Sequence, residues 1–257
     1  MKLFTGVNAT NMNINSDINV LGSLSDFSLI SALLVEGKDN TDYQAYSNIK
    51  TNRSYKRFAS AITNTLIKFT DPNMEYLIRD VFKHEGLSAH CLLLLFWNAC
   101  VNNELLDYLN QKVYFPALYS GRAALKKDEV VACLQELKQS ETAMQKWTDS
   151  TIETTASKYL TFLKKFNLME GRVNKSIVPP GMGDKEIILF IYWLLSVEPN
   201  TNLLESGWLP YCFLEKELII QQILQKRYMK FYNLQYSVNN LKIEPTFSYK
   251  ELYHELG

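Results

Sequence analysis

Residues 125–180 decide the fold of this chain, and they read LKKDEVVACLQEL (125–137), KQSETAMQK (138–146) and WTDSTIETTASKYLTFLKKFNLMEGRVNKSIVPP (147–180). The spacing of apolar residues predicts a helix, a short second helix and a Thr-rich third helix. Ser150 with Glu153 fits a capping box at the start of the third helix, and Thr148 is a second candidate N-cap. A hairpin-like loop follows, turning at Gly171 and stopping at Pro179-Pro180. This order predicts a helix-turn-helix unit with a wing.

The third helix has two contrasting stripes. One is apolar and predicts a core face: Ile152, Ala156, Tyr159, Leu160, Leu163 and Phe166. The other holds short hydroxyls and long cations without a carboxylate: Thr151, Thr154, Thr155, Lys158, Thr161 and Lys165. Such a face suits phosphate oxygens and base edges, although a Thr/Lys face can also be simply solvated. The missing carboxylate favours nucleic acid.

A second helix-turn-helix candidate lies earlier in the chain. A short helix over residues 41–49 is predicted to lead through a turn at Thr51-Asn52 into a longer amphipathic helix over residues 53–70. Basic residues cluster at the start of the longer helix: Lys50, Arg53, Lys56 and Arg57. Cations at a helix N-terminus are unfavourable for the helix dipole, and an external anion would offset that cost. A solvated helix start is the alternative interpretation.

Composition places the chain among ordinary globular proteins. It has 257 residues, 47% of them hydrophobic and 21% charged. Lys+Arg and Asp+Glu both number 27, so the net charge is zero. A nucleic-acid-binding protein usually has a basic excess, but binding depends on a local patch rather than on the sum.

The sequence gives little support to an enzyme. It contains neither a phosphate-binding P-loop nor a dinucleotide-binding glycine turn, and neither a serine-hydrolase elbow nor a zinc-protease motif. Four cysteines stand outside C-x-x-C pairs, and Cys91 and Cys100 are predicted to be buried thiols. His84, His90 and His254 are scattered without ligand spacing, so we expect neither a metal nor a cofactor.

The chain is predicted to be cytoplasmic. No secretory signal is visible, and the apolar run 187–197 is too short to span a bilayer, so it is interpreted as a core helix. Four segments are predicted: a polar Asn-rich arm (1–24), a helical bundle with the first helix-turn-helix (25–122), the winged-helix unit (123–180) and a C-terminal helical part (181–257). The last part is predicted to hold a long helix over residues 215–232, a short strand near 241–243 and a final helix after Ser248.

From about Phe27 to its C-terminus the sequence resembles the BrxA family, small proteins of bacteriophage-exclusion (BREX) defence systems. Three stretches carry the resemblance: the region around Asn48, Arg53, Ser54 and Arg57, the run Trp147–Thr151, and Leu168–Gly171 with its proline-ended loop. The resemblance implies an all-helical, non-catalytic DNA-binding protein encoded beside a methyltransferase and other defence components. In helical architecture the chain is also similar to the RNA-binding NusB-like fold. It departs from the family in its zero net charge and its Asn-rich arm.

The sequence therefore predicts a mainly α, compact multi-helix globular protein with two helix-turn-helix units, the second winged. We expect it to bind duplex DNA mainly through phosphates, with weak sequence preference, as a monomer alongside other BREX components such as a methyltransferase or ATPase. The predicted contact residues are Lys50, Arg53, Lys56, Arg57, Ser150, Thr151, Thr154, Thr155, Lys158, Arg172 and Lys175. RNA binding and a protein-adaptor role that holds such a partner are the alternatives.

Overall fold

The fold is mainly α, as predicted. The structure, a computed structural model, describes residues 12–36, 48–172, 175–199 and 202–256. Helices take up 63% of the residues, and the described part of the chain adds two small antiparallel sheets. The predicted short helix at 41–49 lies almost wholly outside the described residues.

The first half of the chain forms a bundle of short helices. They are α1 (Asp17–Leu21), α2 (Ser28–Glu36), α3 (Asn52–Ala61), α4 (Pro72–Glu85), α5 (Ala89–Asn102), α6 (Glu104–Leu109) and α7 (Phe115–Tyr119). A π-helical turn extends α3 (Ile62–Leu66), and another joins α6 to α7 (Asn110–Tyr114). Side-chain oxygens cap several helix starts: Thr51, Asp71, Ser88 and Asn103 each accept a backbone N–H from the first turn that follows. These caps satisfy backbone donors that the helix itself leaves free.

The second half contains the helices of the predicted winged unit and a C-terminal part. The elements are α8 (Lys127–Ser140), α9 (Asp149–Lys165), β1 (Met169–Glu170), β2 (Ser176–Ile177), α10 (Asp184–Val197), α11 (Lys216–Ile223), β3 (Tyr232–Ser237), β4 (Asn240–Pro245) and α12 (Leu252–Glu255). Short 3-10 turns connect them: Thr142–Met144, Leu203–Glu205, Leu209–Cys212 and Lys226–Lys230. The predicted short second helix is therefore the end of α8 followed by a single 3-10 turn.

The prediction of one long helix over residues 215–232 is wrong. Helix α11 ends at Ile223, and β3 begins at Tyr232 and pairs in register with β4, with Leu234 opposite Ile243. Ile219, Ile223, Tyr228 and Tyr232 are all buried. The step of five residues from Ile223 to Tyr228 does not keep them on one helical face. The predicted strand near residues 241–243 is β4, and the predicted last helix is α12.

Helices α5 and α10 occupy the centre of the core. Every residue from Cys91 to Cys100 is buried, as is every residue from Ile187 to Leu194. The two helices meet through indole rings, with the centroids of Trp97 and Trp193 5.4 Å apart. Residues 187–197 therefore form part of a core helix, as predicted. Within the described residues, no helix has the length and apolarity to cross a membrane.

A segment that we name the N-terminal strap (residues 12–27) crosses the helices. Its apolar side chains Ile18, Leu21 and Leu24 are buried, and its backbone is tied at Met12 to the carboxylate of Glu141 (N···Oε2 3.1 Å). The predicted loose arm over residues 1–24 is therefore wrong for residues 12–24, because polar neighbours hid three buried positions. All the described segments contribute to one continuous core.

Candidate nucleic-acid interface

Helices α8 and α9 are followed by a small sheet at the predicted wing. Strand β2 lies between β1 and the extended residue Ala124, which precedes α8. Leu125 N donates to Lys175 O (3.2 Å), and Ile177 N donates to Ala123 O (3.0 Å). The chain thus runs from an extended residue through two helices into a hairpin that returns beside its start. Residues 173–174, at the hairpin turn, lie outside the described residues.

The start of α9 is capped by Thr148, the second of the two predicted caps. Its hydroxyl accepts the backbone N–H of Thr151 (3.2 Å). Ser150 is consequently an exposed residue within the first turn rather than the cap. The predicted apolar stripe of α9 is confirmed, because all six of its residues are buried.

Thr155 corrects the predicted contact surface. It is fully buried, its hydroxyl donates to Thr151 O (2.9 Å), and the Asn19 side chain of the strap donates to that hydroxyl (3.0 Å). The prediction that Thr155 faces a ligand is therefore wrong. The sequence could not show this, because the segment that covers Thr155 is more than 130 residues away along the chain.

Because the strap covers one side of α9, the exposed residues of this helix differ from the predicted polar stripe. Ser150, Thr154 and Lys164 are exposed, whereas Thr151, Lys158 and Thr161 are partly buried. The exposed residues of α9 also include two carboxylates outside the predicted stripe. They are Asp149 in the first turn and Glu153, which forms an ion pair with Lys127 of α8. The remaining exposed side chains of α9 carry hydroxyls or an amine.

Two lysines meet at the base of the hairpin. Lys164 donates to Gly171 O (3.0 Å). Lys175, the residue before β2, is partly buried. Burial, and next the charge of Lys164, lower the pKa of Lys175 below its ordinary value. Among the described residues, no carboxylate pairs with either ammonium. Two uncompensated cations side by side favour an anion between them.

A cleft opens beside these lysines. It has a volume of about 430 Å³ and lies between the start of α8, the middle of α9 and the hairpin. Three lysines line it, Lys126, Lys127 and Lys175, together with the carboxylate Asp128 of α8, and Ser157 and Leu160 line it from α9. Ser157 was absent from the predicted contact residues, since only the packing of α8 against α9 brings it to the cleft. Arg172 is exposed in the hairpin loop.

The first basic cluster is also on the surface. Thr51 caps α3 by accepting from Ser54 N (3.1 Å), as the predicted turn required. Lys50, Arg53, Lys56 and Arg57 are all exposed. The Arg57 guanidinium lies 5.4 Å from the centre of the Phe58 ring, and no ion pair to the four cations occurs among the described residues. Because the preceding segment is not described, the first helix-turn-helix stays a prediction.

The three histidines, scattered in the sequence, gather near the junction of α4, α5 and α12. Both ring nitrogens of His90 contact carboxylates, Nδ1 that of Glu85 (2.7 Å) and Nε2 that of Glu186 (2.8 Å). The His84 ring stacks on Tyr253 with centroids 4.3 Å apart. Glu85 accepts hydrogen bonds from Lys185, Ser88, His90 and Tyr253, which outweigh burial and lower its pKa to about 2. This network fastens the C-terminal segment to the bundle.

The cysteines are free thiols held in unreactive surroundings. Cys91, Cys100 and Cys212 are buried, as predicted for the first two. Burial, and next the charge of Glu85, raise the pKa of Cys91 to about 12, and burial raises that of Cys212 further. Cys133 is partly buried, and burial with the charge of Glu136 raises its pKa to about 11. All of these thiols are protonated at neutral pH.

Comparison with known proteins agrees with the resemblance. A profile of the BrxA family matches residues 24–191, from the end of the strap through both basic clusters into α10. Neither a curated protein nor a solved structure matches the chain significantly. The family match covers well over half of the sequence, and the chain therefore belongs to the BrxA family.

Proposed function

We propose that this chain is a non-catalytic, double-stranded DNA-binding component of a BREX phage-defence system. Membership of the BrxA family supports the BREX-associated role and other BREX components, such as a methyltransferase or ATPase, as partners. The duplex binds mainly through its phosphates, and the primary contact is the unit of α8, α9 and the hairpin.

One observation carries this proposal: Lys164 donates to Gly171 O, just after the β1–β2 pair Glu170–Ser176 that Lys175 precedes, and neither lysine has a carboxylate partner among the described residues. Lys126 and Lys127 line the same cleft as Lys175, with the Ser157 hydroxyl of α9, and Lys127 also pairs with Glu153. This arrangement supplies several phosphate donors on one concave surface even though the whole chain is neutral.

Sequence preference is weak because α9 lacks the side chains that read bases best. Its sequence, DSTIETTASKYLTFLKK, contains no Arg, Asn or Gln. Those residues make the bidentate contacts that distinguish guanine and adenine in the major groove. Ser and Thr hydroxyls bind either phosphates or several bases, so they position the helix without selecting one sequence.

The experiment is a titration with a duplex of arbitrary sequence at several salt concentrations. We expect the logarithm of the affinity to fall linearly with that of the salt concentration, by about 0.9 per neutralised phosphate. Lys164→Gln and Lys175→Gln should each lower the slope by about one unit. Lys242→Gln, an exposed lysine of β4, is the matched control and should bind like the parent.

An affinity that does not depend on salt would refute the phosphate contacts. Preference for RNA of the same sequence would favour the NusB-like alternative. If both lysine variants bind duplex like the parent, and partner proteins still co-purify after nuclease treatment, the adaptor role replaces DNA binding.

A further inference from the structure

The N-terminal strap lies against the second half of α9. At Gly22 the approach is so close that an added Cβ would stand 2.4 Å from the backbone oxygen of Lys158. Further along, Lys165 Nζ donates to Leu21 O (3.3 Å) and to Leu24 O. The rings of Phe27 and Phe166 follow, with centroids 5.7 Å apart. The strap thus lies along about two turns of α9, a length on the order of 10 Å at 1.5 Å per residue.

The chain that leads into α3 is fastened to this strap. Asn48 Nδ2 donates to Asp26 Oδ2 (2.5 Å), and the other oxygen of Asp26 accepts from Ser28 N (2.9 Å) at the start of α2. Lys50 and Arg53 follow Asn48 by two and five residues. The chain entering α3 is therefore tied to the same strap that packs on the C-terminal half of α9.

The strap links the two basic clusters through these contacts. Lys50 and Arg53 belong to the cluster at α3, and Lys158, Lys164 and Lys175 belong to the cluster at α9 and the hairpin. Burial, and next the charge of Lys158, lower the pKa of Lys165 to about 8, although the charge of Asp26 acts in the opposite direction. Asp26 is therefore within electrostatic reach of the α9 cations. It is an exposed carboxylate lying between the clusters.

We infer that the start of α3 and the second half of α9 contact one DNA duplex as a single phosphate-binding surface, in which Asp26 is an opposing charge. This rests on the proposed duplex binding. One strand presents a phosphate about every 3.4 Å of helix axis, so about 10 Å of surface covers roughly three phosphates. Cations on both sides of the strap can therefore follow consecutive phosphates of one strand.

Asp26→Asn gives the most specific test, since it removes the opposing charge. The asparagine oxygen can still accept from Ser28 N, and the Asn48 amide can rotate to keep its bond. For a phosphate about 8 Å away in water, Coulomb's law gives a gain of roughly twofold in affinity per phosphate at low salt. We expect Asp26→Asn to bind duplex at least twofold more tightly than the parent.

Asp71→Asn is the matched control. Asp71 caps α4 in the same manner, accepting from Asn73 N (2.7 Å), so its substitution changes net charge and cap chemistry equally. Its affinity should stay near that of the parent. Equal gains in both variants would show that only net charge acts and would overturn the role of Asp26.

The double variant Lys50→Gln/Arg53→Gln tests whether the start of α3 and the second half of α9 share one phosphate-binding surface. We expect this double variant to lower the salt slope by about two units while its thermal melt stays unchanged. If it binds like the parent while Lys175→Gln weakens binding, the shared surface is refuted and the proposed function stands. If neither variant changes binding, the proposed function fails as well.

Discussion

Gly22→Ala tests whether the strap is an integral part of the fold. The new methyl group would stand 2.4 Å from Lys158 O and 3.0 Å from Ile18 O. Both are backbone atoms, so neither can rotate away as a side chain would. Relief requires the strap and α9 to separate by several tenths of an ångström or more in a closely packed region. Overpacking of this kind typically costs about 1–3 kcal/mol.

The measurement is urea unfolding, with a thermal melt beside it. A loss of about 1–3 kcal/mol in a chain of this size lowers Tm by roughly 2–10 °C. Gly207→Ala is the control, because a Cβ at Gly207 meets nothing within 4 Å. That variant should be neutral or stabilised by up to about 1 kcal/mol. Amide exchange should accelerate at Gly22 and Ser23, whose N–H groups bond to Ile18 O and Val20 O. If Gly22→Ala unfolds like Gly207→Ala, the strap does not pack on α9 as described.

Three further substitutions address the polar network and the corrected face of α9. Ionised Glu85 has a pKa of about 2 in the fold, so its stabilisation is complete above pH 4.5 and is lost as the pH falls through 2. In the parent, the unfolding free energy should drop by up to about 3 kcal/mol over that pH range. In Glu85→Gln, the unfolding free energy should change less with pH. If the two proteins show the same pH dependence, the network around Glu85 is contradicted. Thr155→Val should cost about 1 kcal/mol of stability by removing the partner of Asn19, and should leave duplex affinity unchanged. Thr154→Val, at an exposed position, should leave stability unchanged and should lower duplex affinity. A loss of affinity in Thr155→Val alone would refute the conclusion that Thr155 does not face the ligand.

Local signals predicted the elements well. The turn at Thr51-Asn52, the cap at Thr148 and the apolar stripe of α9 depend on neighbouring residues, and the structure confirms each of them. The break after Ile223 was missed, although the next buried residue, Tyr228, follows after five positions and departs from the helical face of Ile219 and Ile223.

The candidate site was predictable only in part, because its outline depends on long-range packing. Nothing near Thr155 in the sequence indicates that Asn19 covers it. Nothing near Lys175 indicates that it lines one cleft with the start of α8 and with Ser157. Sequence reasoning named Lys175 but missed Lys126, Lys127 and Lys164, and it missed that the strap covers part of α9.

The strap also sets an order of events during synthesis. Its partners Glu141, Thr155 and Lys165 are translated 129 to 144 residues later, which takes roughly 7–30 s at about 5–20 residues per second. Throughout that interval Ile18, Leu21 and Leu24 have no surface from α9 to pack on. The Asn and Ser residues around them reduce the tendency of this waiting segment to associate with other nascent chains. On the ribosome, the first described part of the chain is thus among the last to reach its native contacts.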